Sequence, residues 1–119
     1  MEFTPIERAV VDWCAANASC AEVAAQFLSA RPTARRYTGV GSYTDLAVPT
    51  GISPIPVTAI PKGLDGPLIG PDIVATELEL GACTQIYCAD GVLTFLEIAA
   101  YGDSFPEHLS NVLLERPQA

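Results

Sequence analysis

The chain has 119 residues, half of them hydrophobic, and a formal net charge of -8. That length suits one domain able to bury roughly two thirds of its unfolded surface, so folding requires neither a disulfide nor a metal. Six fixed positive charges against 14 acids disfavour nucleic acid and anionic membrane, which recruit dense Lys/Arg surfaces, and favour solubility or a basic partner protein.

Met1 to Glu7 lacks a charged segment followed by an apolar one, so no signal peptide is expected. No apolar run approaches the ~20 residues of a membrane span. A cytoplasmic location with reduced cysteines is the expectation that follows.

Two helices are predicted first. Thr4-Pro5-Ile6-Glu7 is a capping box with proline at the first helical position, and Ile6, Ala9, Val10 and Trp13 recur at helical spacing. Asn17-Ala18 reads as the break. Ser19-Cys20-Ala21-Glu22 reads as a second capping box, with Val23, Ala24, Phe27 and Leu28 as its stripe. Arg31-Pro32 ends that helix, because the residue before proline is pushed out of helical geometry. The short connection predicts an αα-hairpin over about residues 5–30.

From Thr33 onward the pattern becomes β. Arg35 to Thr38 and Gly41 to Val48 read as two strands or one bent strand. Gly39 and Gly41 sit one residue apart in a run of aromatic, β-branched and hydroxyl residues. Glycine weakens a strand, so the pair predicts a bulge or sharp bend where backbone or ligand approaches closely. Residues 49–71 are rich in proline and glycine and predict a loop, with Ile55 to Ile60 as a short edge strand. Its apolar residues call for burial as a packed cover.

Asp72 to Leu80 reads as a strand, with Val74, Thr76, Leu78 and Leu80 on one face and Glu77 and Glu79 on the other. Gly81 is the expected break and Ala82 to Cys88 the next strand. Ala89-Asp90-Gly91 predicts a hairpin turn, since Asp-Gly tolerates positive φ. Val92 to Ala100 follows, with Leu96 and Ile98 on one face and Phe95 and Glu97 on the other. Phe105 to Leu109 is a candidate turn of helix. Helices followed by strands predict one α+β domain over residues 1–119. The N-terminal helical hairpin packs on one face of a twisted antiparallel sheet spanning about residues 34–101.

The stretch Arg36-Tyr37-Thr38-Gly39-Val40-Gly41-Ser42-Tyr43-Thr44-Asp45 resembles a pattern of small bacterial proteins of uncharacterised function. The later run Asp90-Gly91-Val92-Leu93-Thr94-Phe95-Leu96-Glu97, followed by Tyr101-Gly102 and Pro106, is similar to the second signature of that group. Ile98-Ala99-Ala100 departs from it, standing where bulkier or polar residues are common. The resemblance implies a soluble bacterial α+β domain and brings no catalytic residues.

The chemistry-bearing residues are sparse. Cys14 and Cys20 lie in different helices, Cys83 and Cys88 point to opposite faces of a regular strand, and no C-x-x-C occurs, so no metal and no cofactor is expected. His108 is the only histidine, and pairing it with a cysteine nucleophile requires reach in space. Glu77 and Glu79 read as a solvated face. A half-buried Glu97 would need Arg35, Arg36 or Tyr43 as its partner. Arg35-Arg36 predicts an internal salt bridge ahead of an anion site.

Two readings remain open. The first is a non-enzymatic cytosolic binding module with a basic protein partner, of which a toxin-neutralising, immunity-like protein is one concrete form. Its face would carry Asp72, Glu77, Glu79, Asp103 and Glu107. The second is an enzyme or small-ligand binder with a cleft between the double-glycine bend and the proline-rich loop. The candidate site residues are Arg36, Tyr37, Gly39, Gly41, Tyr43 and Glu97, with none assigned to catalysis. A deep pocket holding Arg36 and a tyrosine marks the ligand reading; a flat acidic face or apolar patch marks the protein-partner reading.

Overall fold

The structure, a computed structural model, describes residues 1–60, 67–102 and 104–117. Helix α1 (Pro5–Ala16) starts as its sequence dictates. The Glu7 amide donates to the Thr4 hydroxyl at 3.3 Å, and the Thr4 amide donates to Glu7 Oε1 at 2.9 Å. Its fully buried positions are Glu7, Val10, Val11 and Cys14, with Ile6 and Trp13 packed partly buried beside them. Helix α2 (Ala21–Ser29) corrects an expectation. Its N-cap is Cys20, and no side chain bonds there. Ser19 stands one residue too early for its hydroxyl to serve the first-turn amides. The buried stripe also differs: Leu28 is exposed, and Gln26 is buried in its place.

Seven strands among the described residues form one antiparallel sheet. They are β1 (Arg31–Tyr37), β2 (Gly41–Ala47), β3 (Pro67–Ile69), β4 (Asp72–Ala75), β5 (Leu78–Ala89), β6 (Val92–Ala100) and β7 (Leu113–Glu115). The order is β1-β2-β6-β5-β4-β7, and β3 pairs with β5 beside β4. The arrangement is α+β, with the helical pair on one face of the sheet. Strand β1 begins at Arg31, four residues before the predicted start, and carries Pro32 on the sheet edge with a register shift beyond it. An edge strand tolerates proline because its outward amide needs no partner.

Three further expectations change. Asp72 to Leu80 is not one strand, because Thr76 and Glu77 form a tight turn between β4 and β5. Val74 is therefore exposed while Leu78 is buried, and Gly81 lies within β5 rather than ending it. Residues 57–59 form a single 3-10 turn instead of an edge strand. Phe105 to Leu109 forms no helix. The Asp90-Gly91 hairpin is as predicted, with φ of 52° and 77° joining β5 to β6. The expectations for Pro61 to Gly66, and for Asp103 as part of an acidic face, lie outside the described residues.

Alternation along each strand sends one set of side chains toward the helices. Leu46, Ile86, Leu96 and Ile98 meet Val10, Val11, Val23 and Phe27 in one core, and Ile55 and Ile60 of the proline-rich stretch join it. Two polar locks sit in this layer. The Gln26 amide donates to Gly91 O at 2.8 Å and Ser53 O at 3.1 Å, and its carbonyl accepts the Leu93 amide at 3.0 Å. Glu7 accepts from Arg35 Nε at 2.7 Å and Nη2 at 2.5 Å, and from the Thr44 hydroxyl at 2.6 Å. A buried carboxylate needs such partners to be tolerated. Burial pushes the Glu7 carboxyl up, and hydrogen bonds from Arg35, Thr44 and Thr4 together outweigh it and hold the group below its ordinary value.

Candidate functional site

The sheet face turned away from the helices carries a second set of side chains. The register places Arg36 of β1 beside Tyr43 of β2, Tyr43 beside Glu97 of β6, and Glu97 beside Gln85 of β5. The neighbouring row runs from Asp45 to Phe95 to Tyr87. Because side chains alternate across a strand, these residues share one face while Thr44, Leu96 and Ile86 between them point into the core.

Their contacts form a connected cluster. The Arg36 guanidinium lies 5.0 Å from the Tyr43 ring centroid. Tyr43 meets Phe95 edge-on at 5.8 Å, and Phe95 stacks on Tyr87 at 4.4 Å with an 18° interplanar angle. The Tyr87 hydroxyl donates to Gln85 Oε1 at 2.6 Å and reaches Glu97 Oε1 at 3.5 Å. Hydrogen bonding and charge from Glu97 push the Tyr43 phenol up. Burial, then the Glu97 charge, does the same to Tyr87. Both phenols are protonated at neutral pH, and the Tyr87 proton goes to Gln85 at 2.6 Å while Glu97 lies at the edge of reach.

A smaller group adjoins it. Tyr101 donates to Asp72 Oδ1 at 3.0 Å, and burial together with Asp72 pushes its phenol up to about 12. Burial also pushes the Cys83 thiol up, and that of Cys14 up to about 12, which keeps both away from the thiolate form. Cys14, Cys20 and Cys83 carry free thiols, and among the described residues no three His, Cys, Asp or Glu side chains are grouped to hold a metal ion.

The six candidate residues divide between the two faces. Arg36, Tyr43 and Glu97 come together on the open face. Tyr37, Gly39 and Gly41 line a cavity of about 830 Å³ on the helix side. The two glycines form the turn between β1 and β2. Gly39 has φ of 87°, and a Cβ on Gly41 would lie 1.7 Å from Ile98 O, so the bend is a close backbone approach to β6. The cavity closes against residues 105–112, and none of the described residues of the proline-rich stretch lines it. His108 stands there with Glu107 but with no cysteine.

The expected acidic face is dispersed in the same way. Asp72 holds Tyr101, Glu77 accepts both the Ser110 amide at 2.7 Å and the Ser110 hydroxyl at 2.5 Å, and Glu107 borders the cavity. Tyr87, Gln85 and Phe95 are the members of the open cluster that the candidate residues omit. Their alternation with buried Ile86 and Leu96 was the available signal. Among the described residues no helix is long and apolar enough to cross a membrane. No protein-family model, no curated protein and no solved structure matches this chain.

Proposed function

We propose that this chain is a non-enzymatic binding module whose working surface is the open sheet face, and that its partner is a protein with a basic patch. The observation that carries this reading is the row Arg36, Tyr43, Glu97 and Gln85, with Phe95 and Tyr87 stacked beside it on a face that no helix covers. Aromatic and arginine side chains supply most binding energy in protein interfaces. Here they are already held by one another, so less side-chain entropy is lost on association. Asp45, Glu97, Asp72 and Glu115 lie on outward strand positions, and the chain carries -8 overall. Such a field speeds encounter with a basic surface. A cytoplasmic, immunity-like neutralisation of a basic toxin is one activity of this kind.

Site-specific photo-crosslinking tests the reading. A benzophenone side chain at Tyr43 should capture a protein from native cell extract, and the same group at Asp12, exposed on α1, should not. The captured species should be basic, and its yield should fall as salt rises, because exposed fields are screened within about 8 Å at physiological ionic strength. Equal capture from both positions, or capture indifferent to salt, would sink the proposal.

A further inference from the structure

The cavity on the helix side has a construction that the partner-binding reading does not use. Its wall is the first turns of α1, its floor is Ser42 and Ile98, and residues 105–112 close it. That closing segment is tied at both ends. The Phe105 amide donates to Gly39 O at 3.0 Å, and Ser110 is held by Glu77 and by the Thr76 amide. The space is therefore preformed rather than a gap that the segment could collapse to fill. Protein interiors pack to high density, and an opening of about 830 Å³ falls in the range of small-molecule sites.

The lining states what would fit. Ile6, Ala9, Ile98, Phe105, Leu109 and Val112 give mostly apolar walls. The Ser42 hydroxyl opens into this space from a residue only 9 % exposed, and it makes no hydrogen bond among the described residues. No fully buried side-chain polar atom among the described residues lacks a partner, so the Ser42 hydroxyl is accessible from the cavity and open to a bound molecule. Glu7 also borders the cavity, but Arg35, Thr44 and Thr4 occupy its carboxylate. Glu107 adds negative charge to the lining, which opposes an anion.

We infer that this cavity binds a neutral small molecule of mostly apolar surface bearing one hydroxyl or carbonyl, which pairs with Ser42. The probe is p-cresol, with 4-methylbenzoate as its anionic counterpart, followed by amide NMR shifts on titration. p-Cresol should give saturable shifts at Gly41, Ser42, Ile98 and Phe105. 4-Methylbenzoate should bind at least about tenfold more weakly, because its charge must be buried beside Glu107. Ser42→Ala removes only a hydroxyl without a partner, so the fold should persist while p-cresol affinity drops about fivefold, the worth of one hydrogen bond. Val112→Trp, at an exposed position, should block p-cresol by filling the entrance. Absence of saturation, shifts confined to Tyr43 and Phe95, or unchanged affinity in either variant would overturn the inference.

Discussion

Arg35 and Arg36 are adjacent on one strand and have opposite surroundings. Arg35 turns toward the helices, forks onto the buried carboxylate of Glu7 and also donates to Glu2 O at 3.0 Å. Arg36 turns to the open face and rests on the Tyr43 ring in water. The same side chain is a structural tie on one face and an available contact on the other. The contrast extends across the sheet. On the helix side, Gln26, Glu7, Thr44 and Thr84 are buried and each is hydrogen-bonded. On the open side, the aromatic and charged groups contact one another and remain accessible. Substitutions at the hydrogen-bonded polar groups of the first face should therefore cost much stability, and those on the second should cost little and act mainly on binding.

The largest effect should come from Glu7→Ala. Removing one partner of a buried pair leaves the other uncompensated, at about 3–5 kcal/mol. Urea unfolding measures it. Acid sharpens the same point through Glu7→Gln. The folded carboxyl titrates below its ordinary value of 4.5, so its contribution is complete above that value and is lost as pH falls through the lower folded one. Between pH 7 and 3 the wild-type midpoint should decline more than that of Glu7→Gln.

Next comes the turn. Gly41→Ala would press a methyl into the Ile98 carbonyl and should cost about 3 kcal/mol, as overpacking does. Gly39→Ala has open space and bears only the left-handed backbone strain of about 1–2 kcal/mol. Equal losses at the two glycines would mean that the β1–β2 turn does not press on β6. Gln26→Leu follows at about 2 kcal/mol, because Gly91 O and the Leu93 amide lose their partner inside the core. The smallest stability effect belongs to the open face. Phe95→Ala should cost about 1 kcal/mol of ring stacking yet reduce partner capture at Tyr43 several-fold.

Much of this division was legible in the chain. The capping box at Thr4 and the Asp90-Gly91 turn are local, and local chemistry decided both. The alternation of Leu96 and Ile98 with Phe95 and Glu97 assigned the faces of β6 correctly. What the sequence hid was non-local. Gln26 and Glu7 read as ordinary polar helix residues, because their partners lie 65 and 28 positions away. Residues 72–80 satisfy a strand period throughout, so the turn at Thr76 and Glu77 shows only when Ser110 arrives to hold it. Strands β3 and β7, three residues each, are too short for periodicity to register. The candidate residues span both faces because neighbours along a strand point to opposite sides of the sheet, and alternation separates Arg36 from Tyr37.

The most direct test of the two-face account is urea unfolding of Arg35→Met and Arg36→Met side by side at neutral pH. The account predicts a loss of about 3 kcal/mol for Arg35→Met, whose removal strands the Glu7 carboxylate, and a change within about 0.5 kcal/mol for Arg36→Met, an exposed position. Losses of similar size in the two variants would contradict it, since Arg36 would then be holding the fold rather than waiting for a partner.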